Sequence, residues 1–218
     1  MKLLLLGCTG RTGKILLQEA LKAGHTITVL VRDKSKIPAS LQDRLTIFES
    51  PDLDESSLEN AVMGCEVVVS TLNISRKSDF PWATLRTPSK FLSGVMEQLI
   101  DISVRHGVKR VLVLTAWGVH ETKSDIPGWF RWLIDHSNIG VAYRDHERQE
   151  DLLQASTLNW TIVRPVGLTN GTKAKTIIIT FHNTPKPNLT ISRYNVARFM
   201  LDAMQLPEYY QKTVTIST

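Results

Sequence analysis

Residues 3–6, all leucine, form an unbroken apolar run closed by Gly7, the pattern of a strand covered on both faces. The period then changes. Ile15, Leu16, Leu17, Ala20 and Leu21 recur at helical spacing until Gly24. The alternation continues with strands predicted at 26–31 and 45–48, a helix marked by Leu58, Ala61 and Val62 and ended by Gly64, and a fourth strand at 67–71. A polar stretch, 73–90, separates that strand from a helical stripe of Leu92, Val95, Met96, Leu99, Ile100 and Val104, which stops at Gly107. A fifth strand is predicted at 111–115, an irregular Trp-rich segment at 117–139, a helix at 144–155, and a sixth strand at 160–163 before Pro165. Beyond it lie a short strand at 176–181, a helix at 195–204 and a last strand at 213–217.

Strands alternating with crossover helices imply a parallel sheet. Right-handed crossovers make it doubly wound, with strand order 3-2-1-4-5-6 and a helical layer on each face. The expected fold class is therefore α/β in three layers, with residues 1–218 in a single domain. Residues from about 166 to 218 are too few for a second core, so they are expected to pack on the sheet as a small cap.

The turn between the first strand and the first helix carries the clearest chemistry. It reads Gly7-Cys8-Thr9-Gly10-Arg11-Thr12-Gly13, a glycine triplet in the context of a Rossmann-type dinucleotide site. Gly7 permits the sharp turn, Gly10 lets a pyrophosphate approach the backbone, and Gly13 lets helix and strand pack closely. The helix N-terminus adds free N–H groups and partial positive charge, and Thr9 and Thr12 add hydroxyls. The end of the second strand selects the cofactor. NAD enzymes place an acid there for the ribose hydroxyls, whereas this chain has Arg32, suited to a 2′-phosphate, with Arg11 and Lys36 able to join it. NADPH is thus expected in preference to NADH. Asp33 keeps NADH possible, because an acid beside Arg32 can still serve a ribose. Asp52 reads equally as an acceptor for the adenine amino group or as a loop cap.

Composition narrows the partners. The net charge is +5, but the 26 Lys and Arg are spread without a run of five, so no nucleic-acid role is expected and the charge suits a phosphate-rich cofactor. Cys8 and Cys65 form no CxxC and no metal-ligand cluster, and read as buried fillers in a reducing compartment. No apolar run has the length of a membrane span, and four leucines are too few for a signal-peptide core, so the protein is expected in the cytoplasm. No Gly-x-Ser-x-Gly elbow supports a hydrolase.

Five segments together resemble the atypical short-chain dehydrogenase/reductases, in particular the NAD(P)H-binding type of flavin reductase and biliverdin-IX-beta reductase. They are 6–13, 29–33, 106–111, 158–165 and 191–197, the last reading Ile-Ser-Arg-Tyr-Asn-Val-Ala. The resemblance implies that Arg32 and Lys36 hold the 2′-phosphate and that Asp52 is the adenine-side acid. It also implies that Thr71, Leu72 and Asn73 lie along the cofactor, that Thr115 and Ala116 stand by the nicotinamide, and that Pro165, Val166, Gly167 and Leu168 contact that same end. Thr115 is the candidate orienting residue for catalysis. Two departures stand out. Asn195 replaces the usual Asp of its motif, and the Tyr-x-x-x-Lys pair is missing: Tyr143 is followed four residues later by Glu147, and relatives that carry a Lys four residues before the Glu matched by Glu150 would place it at His146.

On its own helix, His146 reads as a member of a solvated charged face sooner than as a proton donor. Trp82, Trp117, Trp129, Phe130 and Trp132 either build a flat pocket for a planar substrate or pack the loops onto the core. The function implied is an NADPH-dependent reductase that transfers a hydride to a flavin, quinone-like or similar planar acceptor. The alternative is a redox sensor that binds NADP(H) without turnover. Relatives of this size imply a monomer or a weak homodimer.

Overall fold

The computed structural model describes residues 1–218. Five strands alternate with helices through the first half: β1 (Lys2–Leu6), α1 (Arg11–Lys22), β2 (Thr26–Val31), the short α2 (Ala39–Gln42), β3 (Leu45–Glu49), α3 (Glu55–Val62), β4 (Val67–Ser70), α4 (Phe91–Arg105) and β5 (Arg110–Leu114). The second half adds α5 (Gly128–His136), α6 (Ile139–Gln154), β6 (Trp160–Pro165), β7 (Gly167–Thr169), β8 (Ile178–Thr180), β9 (Thr190–Ser192), α7 (Arg193–Ala203) and β10 (Lys212–Ser217).

The main sheet runs β3-β2-β1-β4-β5-β6-β10-β8, so the expected order holds and is extended by two strands. All neighbours are parallel except β10 and β8, which are antiparallel. Leu3 stands opposite Ile27 on one side and Val67 on the other. This central strand has no polar face because both its faces are covered. Leu3 and Leu5 join the core beneath α1 and α7, with Leu16, Leu17, Val196 and Met200. Leu4 and Leu6 join the core beneath α3, α4 and α6, with Leu58, Met96, Leu99 and Leu153. That is the three-layer, doubly wound Rossmann-type fold read from the sequence.

Two elements differ from the sequence reading. The segment 117–139 is not irregular: it holds a 3₁₀ turn (His120–Ser124) and α5. Helix α5 buries only Ile134 and exposes Trp129 and Trp132, so its apolar residues follow no inward stripe. Helix α6 begins at Ile139, not 144, and its first turns carry Gly140, Val141 and Ala142 rather than a clear stripe. Within residues 166–218, β8 and β10 belong to the main sheet, while β7 and β9 form a separate two-stranded ribbon.

Candidate cofactor site

At the carboxyl end of β1 the chain turns through Gly7, whose φ is +77°. A Cβ there would lie 2.8 Å from the Thr71 backbone, so both the conformation and the space require glycine. At Gly13 a Cβ would lie 2.2 Å from the Gly7 carbonyl oxygen, so this glycine allows α1 to close on the turn. Gly10 is the N-cap of α1 and offers no side-chain acceptor, which leaves the opening N–H groups of the helix available to an anion. The residues therefore fit a dinucleotide pyrophosphate.

The turn opens onto a cleft of about 530 Å³ along the carboxyl ends of the strands. Of the residues read from the sequence, Gly7, Thr9, Gly10, Arg11, Thr12, Arg32, Lys36, Thr71, Leu72, Asn73, Thr115 and Leu168 line it. Gly13, Asp52, Ala116, Pro165, Val166 and Gly167 do not. Gly13 lies behind the turn, and Asp52 is exposed beside Leu53, which lines the cleft in its place. The backbone N–H of Gly167 donates to the carbonyl of Leu189, just before β9. Several lining residues were not anticipated: Ser75, Arg76, Asp79 and Arg86 from the polar stretch after β4, Phe91, His146, and Arg193. The polar stretch leaves the carboxyl end of a central strand, where ligands bind in open α/β sheets, and that was the available signal.

At the β2 end, Arg32 stands 6.0 Å from the Phe91 ring centre and has no carboxylate partner. Asp33 is occupied locally. Its carboxylate accepts from the Ser35 hydroxyl at 2.6 Å and the Ser35 N–H at 3.0 Å, with Lys36 at 3.6 Å. These bonds, the Ser35 hydroxyl foremost, hold its pKa below the usual carboxylate value. An exposed bidentate pair, Arg11 to Asp79 at 3.0 and 3.2 Å, joins the first turn of α1 to the polar stretch.

At the β5 and β6 end, Thr115 is buried and its hydroxyl donates to Glu150 at 2.6 Å. Glu150 also receives Arg164, through Nε at 3.2 Å and Nη2 at 2.5 Å, and Arg164 extends Nη1 to Glu121 at 2.5 Å. Thr115 thus has its proton committed inward and only lone pairs left for a ligand.

His146 corrects the sequence reading. It is 3% exposed and lines the cleft instead of joining a solvated face. Its Nδ1 lies 3.3 Å from Gln149 Oε1, an oxygen that only accepts, so the hydrogen-bond network assigns the proton to Nδ1 and a lone pair to Nε2. Burial lowers its pKa to about 4, against weaker raising effects of Gln149 and Asp145. Between that value and the ordinary 6.5 the unfolded chain binds the proton and the folded chain does not. Stability is therefore present above pH 6.5 and falls as the pH drops towards 4, by about 3 kcal/mol from this group alone. Denaturant titrations at pH 7 and pH 4.5 are expected to show that loss, and His146→Gln is expected to remove most of it. An unchanged pH dependence in the variant contradicts the assignment.

Tyr143 lies outside the cleft lining and donates to the Trp117 carbonyl at 3.3 Å, and burial raises its pKa. Cys8 is pushed up to about 12 by burial, so this thiol is an inert filler. The flat aromatic pocket is absent. Trp117 is core, Phe130 packs edge-on to Tyr143, and Trp82, Trp129 and Trp132 are exposed away from the cleft, with Trp132 stacked on His136 at 5.0 Å. Asn195 is fully buried and structural. Its side chain accepts from the Lys175 N–H and donates to the Lys173 carbonyl and to Ser192.

A family profile described as NAD(P)H-binding matches residues 7–207, which takes in the glycine turn, the strands from β2 to β9, and α7. The chain belongs to this NAD(P)H-binding family. An oxidoreductase of Pestalotiopsis microspora is 25% identical over 211 residues, covering 91% of this chain and 77% of that protein. A short-chain dehydrogenase/reductase of Veillonella parvula, solved in complex with NADP, superposes with a TM-score of 0.80 at 19% identity, over 100% of this chain and 94% of its own. ChuY, an anaerobilin reductase of Escherichia coli O157:H7, gives a TM-score of 0.79 at 18% identity, over 100% of this chain and 97% of its own. The expected class, an NAD(P)H-dependent oxidoreductase, is the class that the family and the Pestalotiopsis relative support, and the two solved structures share the fold. No helix is long and apolar enough to cross a membrane.

Proposed function

We propose that this family member is an NADPH-dependent reductase that delivers a hydride to a flavin, quinone-like or similar planar acceptor in the cytoplasm. The observation that carries the reading is the proton inventory at the β5 and β6 end. Thr115 donates to Glu150, and burial keeps His146, which lines the cleft with its Nδ1 beside Gln149, a neutral imidazole at pH 7. Neither side chain is then a ready acid for proton transfer at neutral pH. An acceptor that delocalises the incoming charge and takes its proton from water suits such a site, whereas an isolated carbonyl does not. The anaerobilin reductase among the fold neighbours is in keeping with this.

NADPH supplies the hydride when bound. The glycine turn and the N-terminus of α1 would hold its pyrophosphate, Arg32 and Lys36 its 2′-phosphate, and the Thr115 oxygen would be left to accept at the nicotinamide end. The decisive experiment is steady-state NADPH oxidation against a panel of flavins and quinones. Turnover is expected. Tight NADPH binding without turnover on any acceptor overturns the reading in favour of a sensor.

Cofactor choice rests on Arg32, free of a carboxylate, next to Asp33, which is occupied by Ser35. A guanidinium–phosphate pair contributes about 1.5–3 kcal/mol. Arg32→Ala is therefore expected to weaken NADPH by roughly 10–100-fold and to leave NADH within about twofold. Titration by cofactor fluorescence reads both constants. Tighter NADH than NADPH binding in the parent protein defeats the assignment.

A further inference from the structure

Arg193 opens α7, and its side chain is nine-tenths buried, at 9% exposure. Its Nη1 donates to the Thr169 carbonyl at 3.2 Å and to Asn170 Oδ1 at 2.6 Å, both neutral acceptors. No carboxylate pairs with it, and its Nε and Nη2 donate to no protein atom. Arg164, buried in the fold, has two carboxylates closed on it, and Arg110, equally buried and away from the cleft, is held by two carbonyls, the Thr161 hydroxyl and the face of the Tyr210 ring; Arg193 has neither a carboxylate nor an aromatic face. A desolvated cation without a counter-charge is unfavourable unless something else supplies one. Arg193 lines the cleft, so its free edge faces the ligand space.

Its place in the fold separates it from the groups already assigned to the cofactor. Ser192, the residue before it, pairs with Thr169 in the β7–β9 ribbon, and Leu168 of that ribbon lines the cleft. The ribbon continues directly from β6, four strands across the sheet from β2 and Arg32, or roughly 19 Å at ordinary strand spacing. An anion at Arg193 is therefore not the 2′-phosphate. The pyrophosphate has its own donors in the glycine turn and at the N-terminus of α1. Arg11 is close enough to depress the Arg193 pKa, after burial, while Asp79 opposes this; Asp79 itself is committed to Arg11.

We propose that Arg193, oriented by Asn170, is a second anion subsite that receives a phosphate or carboxylate carried by the acceptor. The acceptor class is then a planar ring system with an anionic arm. This rests on the reductase reading for the identity of the occupant, but the binding experiment below does not require turnover.

The test uses the NADP⁺-saturated protein and compares FMN with riboflavin, which lacks the phosphate, by quenching of flavin fluorescence. A second arm compares a naphthoquinone carboxylate with its uncarboxylated parent by calorimetry, so that phosphate and carboxylate arms are read separately. In at least one pair the anionic member is expected to bind roughly 10–100-fold more tightly, as a charge-assisted contact implies. Arg193→Gln is expected to bring that ratio within about twofold while the neutral member keeps its affinity, and Arg193→Lys to retain part of it. The proposal is overturned if neither pair shows a preference, if the preference survives in Arg193→Gln, or if that variant weakens NADP⁺ and leaves the ratio intact. An anion preference without NADPH oxidation keeps the subsite and defeats the reductase reading. Oxidation without a preference does the reverse.

Discussion

Gly10→Val is expected to weaken NADPH and NADH alike by more than about a hundredfold while the protein still folds. Gly10 has φ −76° and ψ 170°, a conformation open to any L-residue. A Cβ there meets only the Gly7 carbonyl oxygen, at 3.2 Å, and the residue lines the cleft. The branched side chain therefore intrudes over the N-terminus of α1, where the pyrophosphate must approach the backbone, and disturbs little else. A loss of about 3 kcal/mol of binding corresponds to the stated factor. The control is Gly13→Ala, where the added carbon falls 2.2 Å from the Gly7 carbonyl oxygen and 2.7 Å from the Thr71 hydroxyl. Backbone cannot give way cheaply there. Overpacking of about 3 kcal/mol in a chain of this size lowers the melting temperature by roughly 6–12 °C. Cofactor titration and thermal melts of the two variants separate the roles. Full affinity in a folded Gly10→Val protein means that the dinucleotide binds elsewhere.

The second large effect is expected at Glu150. This fully buried carboxylate accepts from Thr115 and binds Arg164 through two nitrogens, and Arg164 is itself 2% exposed. Glu150→Ala leaves a buried guanidinium with only Glu121, an exposed acid, as its counter-charge. Removing one partner of a buried pair costs about 3–5 kcal/mol, or roughly 6–20 °C of melting temperature at this chain length. Glu150→Gln keeps an acceptor for Thr115 and is expected to lose less. The Ala variant also frees the Thr115 hydroxyl, so its NADPH affinity should fall where Glu150→Gln largely preserves it. Melting of Glu150→Ala within about 2 °C of the parent protein shows that Glu121 suffices and that the buried pair adds little.

Much of the fold was legible because the signals are local. Four consecutive leucines announce a strand with two covered faces, and the glycine turn announces the phosphate end of the site. Arg32 could be placed on the cleft because it ends the second strand, at a fixed offset from the glycine turn. His146 was misread for the opposite reason. Asp145, His146, Gln149 and Glu150 form one buried face of α6, although Arg144, Glu147 and Arg148 surround them in sequence. What allows acids inside is distant: Asp145 accepts from the Leu92 N–H and the Ser93 hydroxyl on α4, and Glu150 meets Arg164 on β6. Such partners leave no periodic trace. Helix α5 was missed because its tryptophans point outward, and Arg193 because its meaning lies in the carboxylate it lacks.

The position of β10 bears on how the protein is made. This strand pairs with β6 on one side and β8 on the other, yet it follows both along the chain. On a ribosome adding about 5–20 residues per second, the roughly 50 residues from the end of β6 to the end of β10 take about 3–10 s. Throughout that interval β6, a strand buried along its whole length in the finished fold, presents an open edge, the kind of surface on which nascent chains pair with one another. Completing the main sheet is thus an insertion, in which β10 enters beside a strand already in place and recruits the other.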